Sequence, residues 1–177
     1  MRYITLPFGD FFSNKYTKYS LWLMLALFFH YAVSGFISIK DITPDVFLLL
    51  VIWIALKEGR LKGIIVGFVI GLIVDIISGN IIGVNALTKT GAAFITSFFY
   101  KEEHIKHSFH SLKFIGIVLL ATLIHNAIYY FIFININEQN YLLFYFRYCV
   151  FSAAYTTAFS LFIVVVQMRT SRINFDY

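Results

Sequence analysis

GRLKGIIVGFVIGLIVDIISGNIIG, Gly59 to Gly83, is the stretch on which the fold turns. Gly59, Gly63, Gly67 and Gly71 recur every fourth residue, Asp75 takes the next place, and Gly79 and Gly83 continue the series. Residues four apart share a helix face. In an apolar helix a row of glycines lets a second backbone come close, where lipid supplies no hydrophobic push between helices. Gly63, Gly67, Gly71, Gly79 and Gly83 are therefore candidates for helix packing or for holding a partner. Asp75 lies on the same row, and an Asp at a bilayer centre costs roughly 2.5 to 3.5 kcal/mol on insertion scales. It is a candidate functional residue that needs a polar partner.

The rest of the chain fits a membrane environment. Of 177 residues, 60% are hydrophobic and 13% charged, which lies outside the range of soluble domains and marks an all-α integral membrane protein. Cys149 is the single cysteine, so an internal disulfide and a multi-cysteine metal site are both excluded. The net charge of +5 is dispersed at the ends of apolar runs, a pattern of membrane orientation and not of nucleic-acid binding.

Apolar runs place six spans. Residues 1–20, with Arg2, Lys15 and Lys18 among aromatics, read as an interfacial arm. The first span is Leu21 to Ile39, with His30 as a neutral packing residue. Thr43-Pro44-Asp45 then starts a helix: Thr caps, proline suits the first turn, and an acid there complements the dipole. The run Val46 to Leu56 is short for a spanning helix and is expected to be sheltered by its neighbours. Lys57, Glu58, Arg60 and Lys62 mark a loop before a third span, Leu61 to Ile77. The fourth run, Ile81 to Tyr100, is a span or a re-entrant segment; the fifth span is Leu112 to Ile134 and the sixth Leu142 to Val166. The transmembrane domain thus covers 21–167, followed by a tail, 168–177. His104, His107 and His110 recur every third residue, but they would spiral around a helix and no carboxylate or Cys completes a metal set.

Loop charges orient these spans. Eleven Lys and Arg residues fall in the arm, the tail and the second and fourth loops, against Lys40 alone on the other side. Basic loops stay cytoplasmic, so six spans with both termini inside are expected, and the fourth run is read as a span. Lys89 and Arg147 are then intramembrane. They share the outer half of the bundle with Asp75, Asn85, His125 and Asn126, and the favoured arrangement pairs Asp75 with Lys89 or Arg147. Separate snorkelling of the two cations is the alternative. The sequence lacks G-x-S-x-G, H-E-x-x-H and a phosphate loop, which points away from an enzyme, and nothing calls for a cofactor.

One family resemblance is carried by particular residues. Gly67-Phe68-Val69, Gly71, Asp75, Ser78-Gly79, Gly83-Val84 and Leu87, preceded by Pro44-Asp45 and LLLVIWIAL, resemble the rod shape-determining protein MreD family over about residues 44–97. The resemblance implies a six-helix fold similar to the substrate-binding components of energy-coupling-factor vitamin transporters. It also implies residence in the bacterial cytoplasmic membrane and a non-enzymatic scaffold role in the cell-wall elongation machinery. The implied partners are the bitopic protein MreC, a RodA-type glycosyltransferase with its transpeptidase, and MreB filaments beneath. The alternative function is a solute-binding component of a vitamin transporter, whose pocket would be the outer polar cluster. A ligand-sized cavity there favours the transporter; a collapsed cluster favours the scaffold.

Overall fold

The computed structural model describes residues 15–39, 42–79, 81–100, 112–133 and 141–173. Six helices lie among them: α1 (Lys15–Ile37), α2 (Val46–Glu58), α3 (Arg60–Ser78), α4 (Val84–Ser97), α5 (Leu112–Phe133) and α6 (Tyr141–Ile173). The described structure is all-helical, with one isolated bridge between Ile39 and Ile42 turning the chain from α1 towards α2. The last helix continues through Ile173, so the tail expected from residue 168 begins inside it.

The short helix α2 is the hub. It touches α1, α3, α4, α5 and α6, and two i, i+4 rows on its surface serve different neighbours. Phe47, Val51 and Ala55 pack with Ala26 of α1, Ile70 and Val74 of α3 and Ala93 of α4. Leu48, Ile52 and Leu56 pack with Ala92 of α4, with Phe114, Ile117, Val118 and Ala121 of α5, and with Val164 of α6. Thirteen residues span only about 20 Å, less than a hydrocarbon core. Its neighbours provide the shelter that this length requires.

A single residue joins α2 to α3 where a loop was expected. Gly59 stands at φ 86°, donates its N–H to the Ala55 carbonyl (3.2 Å) and accepts the Gly63 N–H (3.0 Å), so it closes one helix and opens the next. That positive φ favours glycine, and a β-carbon there would already stand 3.4 Å from the Tyr100 ring. Charge alone had suggested a loop; a glycine in that conformation makes the reversal without one.

Gly63, Gly67 and Gly71 of the glycine row are buried inside the fold. A β-carbon on Gly63 would lie 2.6 Å from that of Ala55 on α2, and one on Gly67 would lie 2.9 Å from the Lys89 carbonyl on α4. On Gly71 it would run into the backbone of Asn85 and Ala86. These glycines seat α3 against α2 and α4. Gly79 and Gly83 have nothing within 4 Å of such an atom; they take φ of 67° and 104° in the turn between α3 and α4.

Among the described residues two helical stretches, Arg60–Ser78 and Lys113–Ile132, are long and apolar enough to cross a membrane by length and composition. The fourth helix is shorter than the run read from sequence, 14 residues, and much of it is polar yet buried.

Candidate functional site

Asp75 lies in the last turn of α3, facing the start of α4. Its Oδ2 accepts the Gly83 N–H (2.9 Å) and the Ala86 N–H (3.1 Å); its Oδ1 accepts the Asn85 N–H (3.0 Å) and Asn85 Nδ2 (2.9 Å). The first N–H groups of a helix have no partner within it, and Gly83, the residue at the cap position, has no side chain to offer. Asp75 supplies the missing cap from a neighbouring helix. Its carboxylate also meets the positive end of the α4 dipole, which explains how it is fully buried without a cation. The expected pairing of Asp75 with Lys89 or Arg147 is absent. Four donors already fill the carboxylate, and the Asn85 side-chain amide stands between it and the Lys89 ammonium.

Lys89 pairs instead with Asp45. Its Nζ donates to Asp45 Oδ2 at 2.8 Å and to Asn85 Oδ1 at 3.0 Å, and stands 3.4 Å from His125 Nε2. The lysine is 1% exposed and the aspartate 23%. Asp45 is at the same time the N-cap of α2, its Oδ1 accepting the Leu48 N–H at 2.8 Å. The cap is thus the acid and not Thr43, and its second oxygen holds the buried ammonium. Thr156 Oγ1 on α6 accepts the Asp45 N–H at 3.2 Å.

The network continues into α5 and α6. An ammonium has no lone pair, so the Lys89 contact needs an unprotonated His125 Nε2; the ring proton then sits on Nδ1 and is donated to Asn126 Oδ1, 3.2 Å away. Asn126 Nδ2 donates to the Cys149 carbonyl at 3.2 Å. Asn85 is the link between the two halves, giving its amide N–H to Asp75 and its carbonyl to Lys89. One run of hydrogen bonds thereby reaches from α3 through α4 and the α2 cap to α5 and α6.

Of the residues expected in this cluster, Asp75, Asn85, Lys89, His125 and Asn126 are buried and connected. Arg147 is not among them; it is exposed on α6. Sequence reasoning missed Asp45 as the counter-ion, because its capping role already accounted for it and 44 residues separate it from Lys89. The signal was present in part: with Asp75 taken as the one acid within the spans, two intramembrane cations left one of them to find an acid at a span's end. His104, His107 and His110 lie outside the described residues.

A network whose donors and acceptors are used by one another is built to hold helices in register. No curated protein and no solved structure matches the chain. The family model described as rod shape-determining protein MreD does match, over residues 13–171. That range extends the resemblance noted over residues 44–97 to all six described helices. The chain therefore belongs to the rod shape-determining protein MreD family, whose role is in determining rod shape.

Proposed function

We propose that this protein is a non-enzymatic scaffold in the bacterial cytoplasmic membrane, holding an MreC-like bitopic protein and wall-synthesis enzymes so that the cell elongates as a rod. The observation that carries the reading is that Lys89, Asp45, Asn85, His125 and Asn126 are tied to one another, in a chain whose family determines rod shape. The solute-binding alternative has no comparable support, since Asp75, Asn85, Lys89, His125 and Asn126 of its pocket bond to one another and Arg147 lies exposed, away from them. Six spans with both ends cytoplasmic, in a fold like that of energy-coupling-factor substrate-binding components, complete the proposal. The short helices α2 and α4 cross inside the bundle, where lipid does not reach most of their length.

Depletion of the protein tests the role: cells are expected to round up, and MreC-like protein is expected to co-purify with the intact chain. Cells that keep their shape but lose uptake of a vitamin would reverse the assignment. Orientation is tested separately by fusing a periplasmic reporter after Lys106 or Tyr177; both fusions are expected to be silent. Activity at Tyr177 would overturn the even number of spans.

A further inference from the structure

The corner where α2 meets α3 carries more positive charge than the described carboxylates there balance. Lys57, Arg60 and Lys62 are all exposed there, and Glu58 is the one carboxylate at the corner among the described residues. Both of its oxygens are engaged: Oε1 accepts the Tyr19 hydroxyl at 2.6 Å and Oε2 accepts Lys62 Nζ at 3.0 Å. Lys57 and Arg60 are held by aromatic rings instead. Lys57 Nζ lies 4.6 Å from the Trp53 ring centre and 5.5 Å from that of Tyr19; the Arg60 guanidinium lies 4.4 Å from the Phe94 ring centre and 5.0 Å from that of Phe98. Ring contacts fix a cation in place without cancelling its charge.

Arg60 and Lys62 also stand in the first turn of α3, at the positive end of its dipole, and no acid shares that turn. Lys57 and Arg60, held by rings and not by carboxylates among the described residues, suit an anion from outside. Its level in the membrane selects the anion: α3 is one of the two helices long and apolar enough to cross, and it begins at Arg60 itself. Below the cations, exposed Leu61, Ile65, Phe68 and Ile76 continue as an apolar strip along α3. Phosphate-level cations above an acyl-length apolar strip match a lipid and exceed what a free phosphate needs.

We propose that the α2–α3 corner binds the headgroup phosphate of an anionic phospholipid, with Lys57 and Arg60 as its ligands and an acyl chain along Leu61 and Ile65. The loop charges put this corner at the inner leaflet; binding itself does not depend on that orientation, nor on the partner-holding role. Native mass spectrometry of the purified full chain, with phosphatidylglycerol, phosphatidylcholine or glycerol phosphate added, tests it. Phosphatidylglycerol is expected to be retained over phosphatidylcholine, and Lys57→Gln with Arg60→Gln to weaken that retention about thirtyfold, roughly fivefold for each cation. Lys57→Arg with Arg60→Lys keeps the charges and is expected to keep most of the preference, which guards against a fold lost in the neutral pair. Arg147→Gln removes an exposed charge elsewhere and is expected to change nothing. Equal retention of the two lipids, an equal effect of Arg147→Gln, or glycerol phosphate bound as well as the lipid would each overturn the assignment.

Discussion

Asp75 and Lys89 look alike in sequence, each a charge inside an apolar helix, yet the protein balances them by different means. Asp75 is balanced by backbone N–H groups and Asn85, so its removal strands donors and not a cation. Asp75→Ala is expected to cost about 3 kcal/mol or more, since each buried donor left unsatisfied costs about 1 to 3 kcal/mol. Asp75→Asn is expected to fall between, because one oxygen still accepts while the amide faces donors. Exchanging Asp75 and Lys89 should recover nothing; a swapped protein more stable in detergent than either single variant would mean that the two residues pair after all. Lys89 is balanced by Asp45. Lys89→Met leaves that acid facing an apolar side chain, for a loss of about 3 to 5 kcal/mol. Adding Asp45→Asn to Lys89→Met should cost less than the sum of the two changes, and strict additivity in thermal unfolding would remove the pair from the account.

At the scale of elements, the period of four read from the sequence meets neighbouring backbone at Gly63, Gly67 and Gly71, against α2 and α4, and not at Gly79 and Gly83. Steric room ranks the glycines. Gly71→Ala would push a methyl group into the Asn85–Ala86 backbone and Gly63→Ala into Ala55; overpacking of this kind costs about 1 to 3 kcal/mol. Gly35 and Gly116 have open space at the same position, so alanine there should be neutral or stabilising by about 0.5 to 1 kcal/mol. Melting temperatures in one detergent decide it, and a Gly71→Ala protein as stable as Gly116→Ala would contradict the close approach. Much of this level was legible: the apolar runs located the helices, and the length of α2 foretold its burial. What period and charge could not express was geometry across elements. Gly59 turns the chain in one residue, and Asp75 caps a helix to which it does not belong, because both depend on where a second backbone comes to lie.

For the molecule as a whole, those assignments limit where a partner can sit. Helix α2 is enclosed by its neighbours, and Gly63, Gly67 and Gly71 are spent on α2 and α4, so a second membrane protein is expected to grip another face. Exposed apolar side chains are carried by the outer helices instead, among them Phe28 on α1, Phe68 on α3 and Phe151 on α6. Sequence could not separate these faces from the buried ones, because an apolar residue against lipid and one against another helix are the same letter. Two classes of substitution should therefore part company. Leu at Gly63, Gly67 or Gly71 should abolish folded yield and capture of the MreC-like protein together, since the fold fails first. Ala at Phe28, Phe68 or Phe151 should leave yield and melting temperature within about 0.5 kcal/mol of the parent, as surface changes usually do. One of the three should nonetheless lose most of the co-purifying partner, and that residue marks the docking helix. A folded Gly67→Leu protein that no longer captures the partner would move the interface back to the glycine row.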